Sequence, residues 1–153
     1  MCTPVRQDYL SDERFDDNEI GNDDRLLRHC RTPIQIVKCP INGYRLSSQA
    51  FRPGKGETHV SVDLECLLLK DGLEADARYG AMPNTFALAA VTAGAAREHA
   101  QGAAWTPKPE MVGLPGAAGD ENIYHGEIIG PMTKRNYQDL AETIVLVRTD
   151  LNP

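Results

Sequence analysis

Short runs of hydrophobic residues separated by polar turns dominate the chain, and their spacing predicts more strands than helices. Residues 33–38 form a β-branched run, Asn42-Gly43 follows it, and the chain resumes its alternation at residues 44–48. This combination predicts a β-hairpin. Residues 58–62 alternate with period two, so we predict a strand whose two valines face the core.

Helical periodicity is confined to three short segments. A stripe of leucines predicts a helix that Asp63 caps and that ends at Lys70. Residues 86–100 fit both a strand and a helix because alanine carries little pattern, and we favour a strand followed by a helix over residues 93–100. Residues 134–143 have an amphipathic, helical pattern. The remaining apolar runs predict strands at residues 103–106, 124–129 and 144–148.

About six strands and three short helices, without regular alternation of strand and helix, predict an α+β fold. We expect a single compact domain built mostly on an antiparallel sheet. The length of 153 residues and the content of 41% hydrophobic and 25% charged residues suit one globular domain. The longest apolar run is shorter than the roughly 20 residues that cross a bilayer, and the first residues lack the apolar core of a secretory signal. We therefore expect a cytoplasmic protein with no membrane partner.

The four cysteines show no paired spacing. They are Cys2, Cys30, Cys39 and Cys66. Because thiols stay unpaired in a reducing cytoplasm, we expect free thiols, with Cys30 and Cys66 as small core residues. A zinc site built from cysteines and a histidine is an open alternative. It would take ligands from three separate elements, so our interpretation includes no metal.

Charge is distributed unevenly along the chain. Residues 1–24 contain eight acidic and two basic residues, which account for the whole formal net charge of −6, and residues 25–153 are balanced. A segment this acidic and this poor in apolar residues cannot bury enough surface to fold alone. We therefore predict a flexible acidic tail at residues 1–24 before a single α+β domain at residues 25–153. We also hypothesise that the tail covers the basic stretch that follows it.

This basic stretch, residues 25–56, contains seven cations and no acidic residue. The cations are Arg25, Arg28, Arg31, Lys38, Arg45, Arg52 and Lys55. If a hairpin brings them together, they suit phosphate or carboxylate, which guanidinium groups bind bidentately. Ser47 and Ser48 lie at a strand end beside Arg45 and Arg52, so these four residues form a predicted anion site. Two alternatives stay open: the cations are a solvated surface, and the serines bond only their own backbone.

Motifs of several enzyme classes are absent from the sequence. It contains no Gly-x-Ser-x-Gly elbow, P-loop, HExxH pair or dinucleotide-binding glycine fingerprint. The histidines, His29, His59, His99 and His125, are candidates for acid, base or ligand. We include His59 among the ligand-binding residues because it lies on the strand that follows the basic stretch.

One order of residues is more specific than the single motifs. Arg28-His29 precedes the hairpin, Ser47-Ser48 ends it, and His125-Gly126-Glu127 lies on a late strand. This order resembles the ADP-ribosyltransferases, in three short patches of the chain. The resemblance implies that Arg28 or His29 and the two serines bind NAD. It also implies that Glu127 is the catalytic residue that stabilises a ribosyl cation, with His125 facing the same side.

Three functions fit these features. The first is an anion-recognising enzyme for a phosphorylated small molecule, with NAD as the candidate cofactor. The second is a non-catalytic module that docks an acidic protein or nucleic acid on a flat positive face. Nucleic acid is the weaker partner, because the pI is near 5.2 and aromatic residues are not interleaved with the cations. The third is a structural subunit of a larger assembly.

Overall fold

The computed structural model describes residues 2–31, 35–39, 43–79, 85–109 and 121–149. The elements, in chain order, are β1 (Arg25–Arg31), β2 (Ile36–Cys39), β3 (Gly43–Leu46), β4 (Val60–Leu64), α1 (Glu65–Lys70), β5 (Thr85–Thr92), α2 (Ala93–His99), β6 (Ala103–Trp105), β7 (Lys108–Pro109), β8 (Glu121–Asn122), β9 (His125–Ile128), α3 (Lys134–Ala141) and β10 (Val145–Thr149).

Six of these strands form one antiparallel sheet in the spatial order β10-β5-β1-β4-β9-β6. The strands β2 and β3 pair separately as the predicted hairpin, and β7 pairs with β8. The turn predicted at Asn42-Gly43 includes Asn42, which lies outside the described residues. The sheet and the three helices of the described ranges confirm the predicted α+β fold. None of these helices is long and apolar enough to cross a membrane.

The sheet is buried on both faces because residues of a strand alternate sides. On one face, Leu26 and Val62 pack with α2 and α3 through Ala96 and Leu140. On the other face, Leu27 packs against α1 together with a second cluster that contains Leu68, Leu88, Ala90 and Tyr124. The strand β5, which lies between β10 and β1, is buried from Ala87 to Val91, which explains why its sequence shows no period. The order of β5 and α2 confirms the strand followed by a helix that we predicted for residues 86–100.

The predicted helix cap at Asp63 is wrong. The residue that precedes α1 is Leu64, which provides no side-chain cap. Asp63 instead belongs to β4, where it lies directly opposite His125 of β9. Pairing with β9 keeps the backbone extended at this point, so the Asp63 side chain is directed away from the helix start and into the site described below.

Residues 2–24, predicted as a flexible tail, lie along the β6 edge of the sheet. The Gln7 amide donates to the Trp105 carbonyl at 2.9 Å, and the Asp17 amide donates to the Ala103 carbonyl at 3.0 Å. Ile20 is fully buried. The Arg97 guanidinium holds the segment further, through the Asp16 carboxylate and the carbonyls of residues 17 and 20. Ion pairs between the segment and the body, Asp16 with Arg97 and Arg14 with Glu127, help so charged a segment to pack.

The expectation of free thiols is wrong for two cysteines, since Cys2 and Cys66 form a disulfide. The tail brings Cys2 to the start of α1, a long-range contact that spacing along the chain did not indicate. Disulfides persist in oxidising compartments, so this bond does not support the predicted cytoplasmic location. Cys30 is a buried free thiol whose pKa burial raises to about 11.

We expect reduction of the Cys2–Cys66 bond to lower the free energy of unfolding by about 2–4 kcal/mol, because the bond links residues 64 apart and restricts the unfolded chain. Urea denaturation with and without reductant measures the change. The Cys2→Ala/Cys66→Ala variant is the control, since its unfolding midpoint should not respond to reductant. A wild-type midpoint that stays constant on reduction would contradict the expectation.

Candidate functional site

A cavity of about 950 Å³ lies between the centre of the sheet and the loop at residues 49–57. Its walls come from β1, β4 and β9 and from the β7–β8 pair. Six lysine or arginine residues, two acidic residues and two histidines line it. This volume lies near the upper end of the range typical of small-molecule sites.

Asp63 is the centre of a buried polar network at the base of the cavity. His29 Nε2 lies 2.9 Å from Asp63 Oδ2, Arg78 Nε lies 3.3 Å from the same oxygen, and Asn122 Nδ2 lies 3.1 Å from Oδ1. The side chains of Asp63, Arg78 and Asn122 are buried. Because an ionised carboxylate only accepts hydrogen bonds, the Nε2 atom of His29 carries the proton.

This network decides the protonation state of Asp63. Burial alone raises the pKa of its carboxyl group, but the hydrogen bond from His29, the electrostatic interaction with His29 and the positive charge of Arg78 together outweigh burial. The Asn122 amide adds to the same effect, and the pKa of Asp63 lies below its ordinary value. The base of the cavity therefore holds a permanent negative charge that is already paired.

His125 is fixed at the opposite side of Asp63. Its Nδ1 atom donates to the Thr106 carbonyl at 2.7 Å, and its ring is 7% exposed. Burial lowers the pKa of His125, and the positive charge of Lys108 lowers it further, against the smaller opposing effects of the Thr106 hydrogen bond and nearby carboxylates. His125 is therefore a neutral imidazole whose Nε2 carries the lone pair.

Each of the two histidines leaves one ring nitrogen unused. Among the residues that the structure describes, neither His29 Nδ1 nor His125 Nε2 has a hydrogen-bond partner, although both atoms are buried. Buried polar atoms are nearly always paired, so these two nitrogens are exceptions among the described residues.

Besides Arg78, which pairs with Asp63, and Arg52, the cations of the lining fall into two groups. Arg28 is committed to the protein, since its guanidinium donates to the carbonyls of Ala50 at 3.2 Å and Ser61 at 2.8 Å, and burial lowers its pKa. Arg31, Lys55 and Lys108 form no ion pair with any residue of the described ranges. The second group therefore leaves positive charge available to a bound molecule.

Four of the predicted site residues meet in this cavity: Arg28, His29, Arg52 and His125. Arg52 donates to the Gln49 side chain at 3.2 Å. Of the seven cations of the basic stretch, Arg28, Arg31, Arg52 and Lys55 converge here, whereas Arg25 pairs with Glu65 of α1. The side chains of Lys38 and Arg45 lie outside the described part of the structure. No residue of the acidic tail lines the cavity, so the hypothesis that the tail covers this basic site is wrong.

The other predicted site residues lie elsewhere. Glu127 is paired with Arg14, whose Nε lies 2.7 Å from Glu127 Oε1, and it does not line the cavity. His59 uses both ring nitrogens, accepting from the Gly130 amide at 3.1 Å and donating to the Asp12 carbonyl at 3.0 Å. Ser47 accepts from the amide of Gln49, as expected for a serine that bonds its own backbone, and Ser48 is exposed.

Sequence reasoning missed Asp63, Arg78, Asn122 and Lys108. A usable pattern existed only for Asp63, because Ser61 and Asp63 alternate with the core valines of β4 and so share the face that bears the cavity. Arg78, Asn122 and Lys108 come from segments without a regular period, and only the tertiary fold brings them to Asp63.

Comparison with family models, curated proteins and solved structures finds no match to this chain. Within the described ranges, no group of three or more histidine, cysteine or acidic side chains is arranged to hold a metal ion. The fold and the site together define the chain as an α+β protein with a cationic cavity over a buried Asp–His–Arg network.

Proposed function

We propose that this protein binds a phosphorylated small molecule in the cavity above Asp63. The observation that carries the proposal is the unbalanced charge of the lining. Arg31, Lys55 and Lys108 face the cavity without an ion-pair partner in the described ranges. Phosphate oxygens are the acceptors that such arginine and lysine groups bind best.

The two acidic groups of the lining do not cancel this field. Asp63 is buried and already accepts three hydrogen bonds from the protein. Glu57 is exposed on the loop and its charge offsets one cation at most, so the six lysine and arginine residues of the lining keep a surplus of positive charge. A phosphate bound among the three unpaired cations would therefore gain charge-assisted hydrogen bonds that no protein group already occupies.

The shape of the site favours a small molecule over a protein surface. Docking of an acidic protein needs a flat, exposed positive face, whereas these cations surround a cavity with a buried base. The buried base also provides polar groups that orient a ligand, since Asn122, His29 and His125 line it together. A nucleotide-sized ligand fits the volume of about 950 Å³.

NAD is one candidate of this class, and the resemblance to ADP-ribosyltransferases stays a prediction. Its catalytic step requires Glu127 to contact the ribose, but Glu127 is held by Arg14 outside the cavity. The proposal therefore covers phosphorylated ligands in general. The Glu127→Gln variant distinguishes the two readings: transfer of ADP-ribose would be lost in it, whereas binding of a phosphate in the cavity would not.

Titration of the full chain with pyrophosphate, AMP, NAD and uncharged adenosine tests the proposal. A ligand that binds only the folded state raises the unfolding temperature. We expect at least one phosphorylated compound to raise it and adenosine to have a smaller effect. Calorimetry then gives the affinity. We expect the Arg31→Gln and Lys108→Gln variants each to lose about 10-fold in affinity, since each removes one charge-assisted hydrogen bond.

The matched control is Arg135→Gln on α3, whose side chain is 89% exposed and lies outside the cavity lining. It removes the same charge and should leave the affinity unchanged. Stabilisation by none of the phosphorylated compounds, or an equal loss of affinity in the Arg135→Gln protein, would refute binding in the cavity.

A further inference from the structure

We propose that the ligand of the cavity carries two phosphate groups, one at each of its ends. This inference rests on the proposed binding of a phosphorylated small molecule and specifies the class of that molecule. Two observations carry it. The cations at the mouth of the cavity lie at two opposite ends, and their combined charge exceeds that of one phosphate group.

Four side chains of the lining, which we call the rim cations, are exposed or half-buried. They are Arg31, Arg52, Lys55 and Lys108. None of them forms an ion pair with a residue of the described ranges. The other two cations of the lining, Arg28 and Arg78, are buried and bonded to the protein. Charge that remains for a ligand is therefore located at the rim.

Three of the rim cations lie where β1 ends and β4 begins. Arg31 is the last residue of β1, and the loop that carries Arg52 and Lys55 leads into β4 at Val60. Because β1 and β4 are antiparallel neighbours in the sheet, the end of one strand lies beside the start of the other. Arg31, Arg52 and Lys55 therefore lie around one end of the cavity.

Lys108 lies at the other end. It pairs with Asn122 between β7 and β8, and the Asn122 side chain donates to Asp63, near the end of β4. Arg31 lies four residues farther along β1 than Leu27, which is opposite Asp63 in the sheet. At about 3.3 Å per residue, the Arg31 backbone is displaced by about 13 Å along the strand from Asp63. A ligand that meets both ends must therefore be longer than one phosphate group.

The number of charges also fits two phosphate groups. The described lining contains six lysine or arginine residues and two acidic residues, which leaves a surplus of four positive charges. One phosphate group carries a charge of about −1.5 to −2 at pH 7. Two phosphate groups therefore neutralise this surplus, whereas one leaves about half of it.

The rim cations raise the cost of positive charge at both ends of the empty lining. Burial lowers the pKa of Arg28, and the charge of Arg31 lowers it further, against the opposing effects of Cys30 and Glu57. Burial likewise lowers the pKa of His125, and the charge of Lys108 adds to this effect. An anionic group bound at each end relieves this repulsion, which gives each of the two phosphates a separate gain.

Calorimetric titration of the full chain with fructose 1,6-bisphosphate, fructose 6-phosphate and pyrophosphate tests the inference. The two sugars differ by one phosphate group, and pyrophosphate has two phosphoryl groups without a spacer between them. Adenosine 3′,5′-bisphosphate and AMP form a second matched pair, which distinguishes a nucleoside skeleton from a sugar. We expect at least one bisphosphate to bind at least about 10-fold more tightly than its monophosphate and than pyrophosphate, because the second phosphate gains charge-assisted hydrogen bonds.

Two variants separate the ends of the cavity. Lys108→Gln should remove most of the difference in affinity between that bisphosphate and its monophosphate, because it removes the cation of the second end. Arg31→Gln should weaken both compounds by about 10-fold, because a single phosphate binds where three cations meet. The exposed Arg135→Gln on α3 is again the control and should change neither affinity.

Equal affinities for each bisphosphate and its monophosphate overturn this inference and leave the proposed function standing. Pyrophosphate that binds as tightly as the bisphosphates also overturns it, since charge alone would then decide the affinity. A difference between bisphosphate and monophosphate that persists unchanged in Lys108→Gln has the same consequence. Failure of every phosphorylated compound to bind refutes the proposed function as well.

Discussion

Replacing Asp63 with alanine is expected to lower the free energy of unfolding by about 3–5 kcal/mol, the range for breaking a buried ion pair from one side. The substitution removes the acceptor of three hydrogen bonds, from His29, Arg78 and Asn122. Arg78 is 3% exposed and loses the carboxylate that its guanidinium faces. The cost is large because Asp63 no longer offsets its part of the desolvation of that buried charge.

Urea denaturation of the wild type and the variant at pH 7 measures this loss. Glu98→Ala is the matched control, because the Glu98 side chain is 74% exposed and its contact with His99 is a surface pair. Surface pairs contribute at most about 1 kcal/mol. If Asp63→Ala and Glu98→Ala lower the free energy of unfolding equally, Asp63 does not hold the network together.

The contribution of Asp63 to the free energy of unfolding should also decrease as the pH falls. Its pKa is lower in the folded protein than in the unfolded chain, where a free aspartate titrates at about 3.9. As the pH falls below that value, the unfolded chain binds the proton first, so stability declines until the folded carboxyl is also protonated. We expect the stability difference between wild type and Asp63→Asn to be full above about pH 5 and to shrink below about pH 4. A difference that stays constant down to pH 2 would contradict the assignment.

The second large effect is expected at Arg14, which joins the N-terminal segment to β9. Its side chain is 1% exposed and pairs with Glu127, which is 13% exposed. Its guanidinium also donates to the Tyr9 carbonyl at 2.9 Å. Arg14→Met keeps much of the apolar stem but leaves the Glu127 carboxylate buried without its counter-ion, so we expect a loss of about 3–5 kcal/mol in the free energy of unfolding.

The double variant Arg14→Met/Glu127→Gln separates the ion pair from the packing of the segment. Because it removes the stranded charge, it should recover part of the loss that Arg14→Met causes, and a double-mutant cycle gives the coupling energy. If the losses in free energy of unfolding from the two single substitutions simply add in the double variant, the two side chains do not interact. Phosphate binding should persist in the double variant, since neither residue lines the cavity.

The charged groups described above lie in two separate places in the molecule. Ion pairs of both signs hold the N-terminal segment against the body, since Asp16 pairs with Arg97 and Arg14 pairs with Glu127. The cations of the basic stretch that remain unpaired lie around the cavity. No residue of the segment 2–24 lines the cavity, so its acids do not occupy the cavity as a bound inhibitor would.

Short-range sequence patterns were sufficient to predict much of the fold. The alternation at residues 58–62, the Asn-Gly hairpin and the amphipathic pattern of residues 134–143 predicted β4, the β2–β3 pair and α3. These elements follow from short-range rules of strand pleat, turn chemistry and helical period, which neighbouring residues alone satisfy. The uneven charge of the chain also pointed correctly to part of the cavity lining, with Arg28, Arg31, Arg52 and Lys55.

The remainder was decided by contacts between residues far apart in the chain. Asp63 has the sequence context of a helix cap, yet pairing with β9 places it opposite His125, 62 positions later. Glu127 has the context of a catalytic strand residue, yet Arg14 pairs with it. The sequence by itself determined the elements and the sign of the charge near the site. Only the tertiary structure decided which charges are neutralised and which nitrogens are left unpaired, because pairing of buried groups depends on distance in space.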